Sequence, residues 1–189
     1  MKRLVVGISG ASGMPIAVEV LKAIKMQPDW MSCLVISGGG EKTIEMECDF
    51  TVEQVKALAD ECYDIKNIGA SIASGTFKTE GMVVVPCSMK TVAGIAHGYS
   101  DNLLLRAADV VLKERRKLVL VARETPFNTI HLKNMLELSQ MGAIIMPPML
   151  TFYNHPETLQ DSVNHITGKI LDVFHIKYDK FRRWDPDSK

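Results

Sequence analysis

The sequence predicts an α/β protein, a single domain built on a doubly wound parallel sheet. Three observations lead there. Apolar runs of strand length alternate with helical patterns from the amino terminus to beyond residue 170. The turns that follow those runs are rich in glycine, serine or proline, as at the carboxyl edge of such a sheet, where ligands bind. The chain has 189 residues with no internal repeat or low-complexity segment, which suits one domain of ordinary size.

The first strand is expected over Arg3 to Ile8, running into the turn Gly10-Ala11-Ser12-Gly13. Pro15 to Lys25 reads as a helix, with Ile16, Val20, Leu21 and Ile24 on one face. Met31 to Ser37 is the second strand; Gly38-Gly39-Gly40 breaks it, and Glu41 to Glu47 forms a short helix. Thr51 starts another helix, with Glu53 in its first turn. Tyr63 to Thr79 is irregular, and Ser74-Gly75-Thr76 is its most turn-like part. Met82 to Val85 is the central strand, ended by Pro86 for want of an N–H. Ser88 and Thr91 then open a helix whose N–H groups suit an anion.

Asp101 to Arg116 is a strong helix with Asp101 as its cap and Leu104, Ala107, Ala108, Val111 and Leu112 as its apolar face. Lys117 to Ala122 is the fourth strand, followed by Arg123-Glu124-Thr125-Pro126. Asn128 caps a helix that reaches Gln140 and stops at Gly142. Ala143 to Met146 is the fifth strand, and a last helix follows Pro156 to about His175. The carboxyl-terminal part, from about 147 to 189, is expected to close over the site within the one domain spanning 1–189.

Composition excludes several classes. Lys+Arg and Asp+Glu number 22 each, so no nucleic-acid or membrane footprint is present. No apolar run has the length of a membrane helix. The four cysteines are scattered, the five histidines show no ligand spacing, and no signal peptide is visible. These point to a reducing, cytoplasmic setting and to no metal site.

The chemistry-bearing residues collect in turns. Gly10-Ala11-Ser12-Gly13 resembles a phosphate-binding turn but lacks both GxGxxG and GK[ST]; a plain tight turn explains it equally well. Arg106 and Lys113 share a helix face with Asp109 between them, and a solvated salt-bridge face is an equal reading. Arg123-Glu124 stands at the end of a strand, where arginine can fork onto phosphate and a carboxylic acid can protonate a leaving oxygen. Pro147 to Tyr153 is either a lid with an aromatic wall or a packed crossover. Lys169 and Trp184 could add a cation and an aromatic face, though a surface lysine and a packed tryptophan are commoner. Cys87 reads as a buried, inert thiol.

Taken together, several stretches resemble the flavin prenyltransferases of the UbiX type, including the small accessory proteins of bacterial phenolic acid decarboxylase clusters. They are Gly10 to Gly13, Ser74 to Phe77, Gly81 to Thr91, Arg106 to Arg115, Arg123 to Pro126, Ile130 to Met135 and Phe152-Tyr153, in family order. The resemblance implies a Rossmann-like flavoprotein that joins a dimethylallyl group, from dimethylallyl phosphate, to reduced FMN. The product, prenylated FMN, would serve a partner UbiD-type aromatic-acid decarboxylase. It further implies a homo-oligomer, commonly a dodecamer, with sites at subunit interfaces and no metal.

Carried over, Gly10, Ala11, Ser12 and Ser37 would lie on the flavin, with Ser88, Met89 and Thr91 at its other edge and Arg106 near its phosphate or ring. Lys113, Arg123, Tyr153 and Lys169 would hold the dimethylallyl phosphate, and Glu124 would give the departing phosphate a proton. Glu47 with Ser12 would assist proton traffic near N5, and Trp184 would offer a π face to the allylic cation. Lys169 stands where related enzymes often have arginine, so a forked contact becomes a point charge. The chemistry expected is alkylation at N5 and ring closure onto C6, with the monophosphate favoured as donor. Two rival readings remain: an FMN-dependent cysteinyl decarboxylase, and a non-catalytic flavin carrier for a larger decarboxylase.

Overall fold

A computed structural model describes residues 1–184. Six parallel strands form one sheet in the order β3-β2-β1-β4-β5-β6: β1 Lys2–Ile8, β2 Trp30–Ile36, β3 Glu61–Tyr63, β4 Gly81–Cys87, β5 Lys117–Ala122 and β6 Ile144–Ile145. The helices are α1 Met14–Lys25, α2 Gly38–Glu47, α3 Val52–Lys56, α4 Met89–Ala96, α5 Leu103–Lys113, α6 Thr129–Gln140 and α7 Leu159–Val173. The strand order reverses between β1 and β4, so a crevice opens at their carboxyl ends.

β1, β2, β4 and β5 are apolar on both faces, and alternate residues feed two cores. Leu4, Val6, Ile8, Val83, Val85, Val119 and Val121 pack with α1 and α7 on one side of the sheet. Val5, Met82, Val84, Leu118 and Leu120 pack with α4 and α5 on the other. This is the doubly wound arrangement expected. Among the described residues no helix is long and apolar enough to cross a membrane.

Four local expectations are corrected. Pro86 does not end its strand: β4 continues to Cys87, with the register against β5 shifting between Val84 and Cys87. The proline lacks an N–H, but its carbonyl accepts from the Ser9 N–H at 3.2 Å, and the irregularity absorbs the missing donor. Gly38-Gly39-Gly40 does not precede a helix but forms the first turn of α2. Tertiary contact outweighs glycine's poor propensity there, because a Cβ on Gly40 would meet the Ile8 carbonyl oxygen at 2.8 Å. The cap of α5 is Asn102, whose Oδ1 accepts the Leu105 N–H at 3.0 Å. Asp101 instead accepts from the Asn102 amide at 2.8 Å and so orients it. Finally, Glu61–Tyr63 is a sixth strand on the sheet edge, with no apolar run to announce it.

Candidate functional site

Two crevices lie side by side at the carboxyl edge. The larger, about 730 Å³, is lined by Gly10, Ser37, Gly38, Gly39, Ser88 and Thr91, and is walled by Ile65, Leu104 and Leu105. The smaller, about 470 Å³, is lined by Ser12, Gly13, Arg123 to Phe127 and Pro147 to Met149.

The floor between β1 and β4 is tied by a residue with no sequence signal beyond its place at a strand end. Ser9, almost fully buried, donates to the Pro86 carbonyl at 3.1 Å and accepts the Ser88 N–H at 2.8 Å. Around it three helices present their amino ends. Ser88 caps α4 and accepts the Thr91 N–H at 3.3 Å, while Ser37 caps α2 and accepts the Gly40 N–H at 3.1 Å. Gly10 lies so close to α2 that a Cβ on it would meet the Gly39 backbone at 3.0 Å, whereas Gly38 faces open space. The amino ends of α2 and α4 therefore open onto the larger crevice as a site for an anion.

The amino end of α1 is already occupied. Glu47, the last residue of α2, accepts the Gly13 and Met14 N–H groups through Oε2 at 2.8 and 3.1 Å. Burial pushes its carboxyl up, but hydrogen bonds from Ser12 and from those two amides, with the charge of Arg123, outweigh it and hold the group below the ordinary carboxylate range. Glu47 is thus an ionised acceptor that fixes the Ser12 turn at the smaller crevice. Arg123 is anchored by its own N–H to the Cys87 carbonyl at 3.1 Å, and Glu124 accepts the Thr125 N–H at 3.0 Å.

Other expected residues gather elsewhere in the single chain. Tyr153 sets its ring edge-on to Trp184 at 5.6 Å and to His165 at 5.8 Å. Lys169 lies one turn beyond His165 on α7, exposed, and burial with its charge keeps the imidazole below its ordinary value. Neither Tyr153, Trp184 nor Lys169 lines the smaller crevice. Lys113 pairs with Glu114 at the carboxyl end of α5, beside Gly75. That end faces the start of β5, about 12 Å along the helix from the crevice wall at Leu105. Arg106 donates to Asp109 at 2.6 Å and lines neither crevice. Met89 is buried in the core beneath α4, and Ala11 is held in the turn by its N–H to the Ser9 carbonyl at 2.9 Å. The expectation of one phosphate-gripping cluster of Lys113, Arg123 and Lys169 therefore fails within one chain. Sequence reasoning also missed Ile65, Leu104 and Leu105 as walls: Leu104 read as the apolar face of its helix, Ile65 fell in the irregular stretch, and Leu105 carried no signal of its own.

The residues present fit a flavin mononucleotide. The larger crevice has the size of a small-molecule site, two helix amino ends for one phosphate, and an apolar wall for a flat ring. Cys87 is fully buried and burial pushes its thiol far up, so it is no nucleophile.

Known proteins bear on this geometry. The family described as Flavoprotein matches residues 1–175. The chain is 54% identical over 187 residues to the flavin prenyltransferase LpdB of Lactiplantibacillus plantarum, covering 99% of this chain and 100% of that one. It superposes with a TM-score of 0.95, at 51% identity, on a dodecameric FMN-dependent Ubix-like decarboxylase from Escherichia coli O157:H7, covering 97% and 99% of the two chains. It superposes equally, with a TM-score of 0.95 at 44% identity and 97% coverage of both chains, on AnUbiX (PadA1) in complex with FMN and dimethylallyl pyrophosphate.

Proposed function

The chain belongs to the Flavoprotein family and is a flavin prenyltransferase, and we propose that its two crevices divide the reaction between them. The larger holds FMN, with its phosphate toward the amino ends of α2 and α4, at Ser37, Ser88 and Thr91. The smaller holds the dimethylallyl phosphate or pyrophosphate beside Ser12, Arg123 and Glu124. Bound in its reduced form, FMN supplies the nucleophilic N5 and C6 that receive the five-carbon group.

The observation that carries this reading is the meeting of Ser12, Arg123 and Glu124 on one crevice next to a flavin-sized one. Arg123 forks onto the leaving phosphate and offsets the charge that develops there. Glu124, on the adjoining residue, delivers a proton to the departing oxygen. Ser12 stands at the junction, oriented by the ionised Glu47 behind it, and that pair relays the proton displaced beside N5. Phe127, Pro147, Pro148 and Met149 give the allyl group an apolar, water-poor wall.

Lys113, Arg106, Tyr153, Lys169 and Trp184 join this site from a neighbouring subunit or by closure of the segment from 147 onward. None of them lines the smaller crevice in the single chain, which supports this, as does the dodecameric relative. Ile130 and Leu136 on α6, and Met149 and Phe152 beyond it, are exposed apolar residues suited to subunit contact. The product, prenylated FMN, passes to a UbiD-type decarboxylase.

The test is mass spectrometry of the flavin after anaerobic incubation of the protein with reduced FMN and either dimethylallyl phosphate or the pyrophosphate. The expected product is heavier by one five-carbon unit. Unmodified FMN with both donors would overturn the reading. Glu124→Gln should lower the rate by about 10²-fold while FMN still binds.

A further inference from the structure

We propose that Glu19 is a positioning residue for the prenyl-transfer site: it clamps the carboxyl-terminal strap 177–184 to α1 and so fixes Trp184 against Tyr153. The inference rests on the proposed role of Trp184 as a wall of that site.

Glu19 sits in the middle of α1 and is almost fully buried, an unusual place for a carboxylate. It is not idle there. The Tyr178 hydroxyl donates to its Oε1 at 2.7 Å, with Asn164 Oδ1 of α7 at 2.9 Å from the same hydroxyl. Lys180 Nζ donates to the same Oε1 at 2.8 Å. Burial pushes the Glu19 carboxyl up, but these partners, with Lys22, hold it below its ordinary value. A buried charge kept ionised by two residues of one strap is a strong tether, because releasing the strap leaves the charge without partners.

The strap supplies Phe181 and Trp184 to an aromatic cluster completed by Tyr153 and by His165 of α7. Phe181 packs on Gly168 of α7, where a Cβ would collide with its ring. Its ring lies 5.4 Å from His165, which lies 5.8 Å from Tyr153, which lies 5.6 Å from Trp184. Arg183 forks onto Asp172 through contacts of 3.1 and 2.5 Å. Trp184 is otherwise two-thirds exposed, so its place depends on the strap. The same helix α1 begins just after Gly13, where Glu47 of α2 accepts its first N–H groups and supports Ser12. One helix thus references the strap to the reacting end of the crevice, about 8 Å away along its axis.

The experiment uses the FMN-loaded oligomer in a Trp30→Phe background, where Trp184 is the sole tryptophan. Glu19→Gln and Lys180→Met are compared with the parent. Lys180 is largely exposed, so its variant keeps the test open should Glu19→Gln fail to fold. Each variant is expected to raise acrylamide quenching of Trp184 about twofold and to lower kcat for prenyl transfer at least about fivefold, with KM for FMN unchanged. In a Trp184→Leu background, itself slowed, the same substitutions should cost little more. Unchanged quenching and kcat would overturn the clamp, as would an equal loss of kcat with and without Trp184. A Trp184→Leu protein as fast as the parent would instead overturn the role of Trp184, while the quenching data would still judge the clamp.

Discussion

Glu47 illustrates how a side chain supports a site without touching the ligand first. It satisfies two amides at the start of α1 and holds Ser12 through a third hydrogen bond. Its folded value lies below the ordinary one, so its contribution to stability is complete above the ordinary carboxylate range and is lost as pH falls through the depressed value. Glu47→Gln should therefore cost about 1 kcal/mol near neutrality and flatten the acid limb of a denaturant-midpoint titration. A variant whose acid limb matches the parent would contradict this account. The role was half legible in the sequence: family resemblance marked Glu47 as a partner of Ser12, but nothing local announced that it closes a helix end from residue 47 back to 13. Ser9 was not legible at all, since its value lies in meeting Ser88 across 79 positions of sequence. Cysteine reactivity belongs to the same scale. Burial pushes the Cys33 thiol up to about 12 and Cys87 further, so neither should react with iodoacetamide at pH 8 in the native protein, as peptide mass mapping would show.

Among the elements, the turn after β1 and the first turn of α2 act as one piece. The three glycines of α2 read in the sequence as a break, because propensity disfavours them in a helix. The fold uses them for proximity: Gly10 and Gly39 bring the two backbones together, and Gly40 approaches the Ile8 carbonyl. Gly10→Ala should push α2 away from β1, costing about 1–3 kcal/mol and weakening FMN binding more than donor binding. Thermal unfolding with and without FMN measures both, and an unchanged FMN-induced shift would refute the link. β1, β2 and β5 were readable as continuous apolar runs and α1 and α5 by an apolar face at helical spacing, while α6 was announced by its cap and the glycine that ends it. The three-residue β3 and the passage of β4 through Pro86 were not, because edge pairing and a shifted ladder leave no periodic trace.

At the scale of the whole molecule, the family motif names a site that one chain spreads over two ends of its sheet. Arg123 follows the carboxyl end of β5, whereas Lys113 precedes its amino end, so a rigid domain cannot bring them together. The order of residues in a sequence says which groups belong to a site and is silent on how many chains supply them. A closed symmetric assembly satisfies both constraints if it sets the Lys113 end of one protomer beside the Arg123 end of the next. Hybrid oligomers test this directly. Lys113→Ala and Arg123→Ala oligomers should each be nearly inactive in forming prenylated FMN. Dissociated, mixed in equal amounts and reassembled, they should regain about a quarter of parental activity, the fraction of sites that draw an intact Lys113 from one chain and an intact Arg123 from another. If both residues served a site within the same chain, every chain in the mixture would carry one defect and activity would stay at the level of the separate variants.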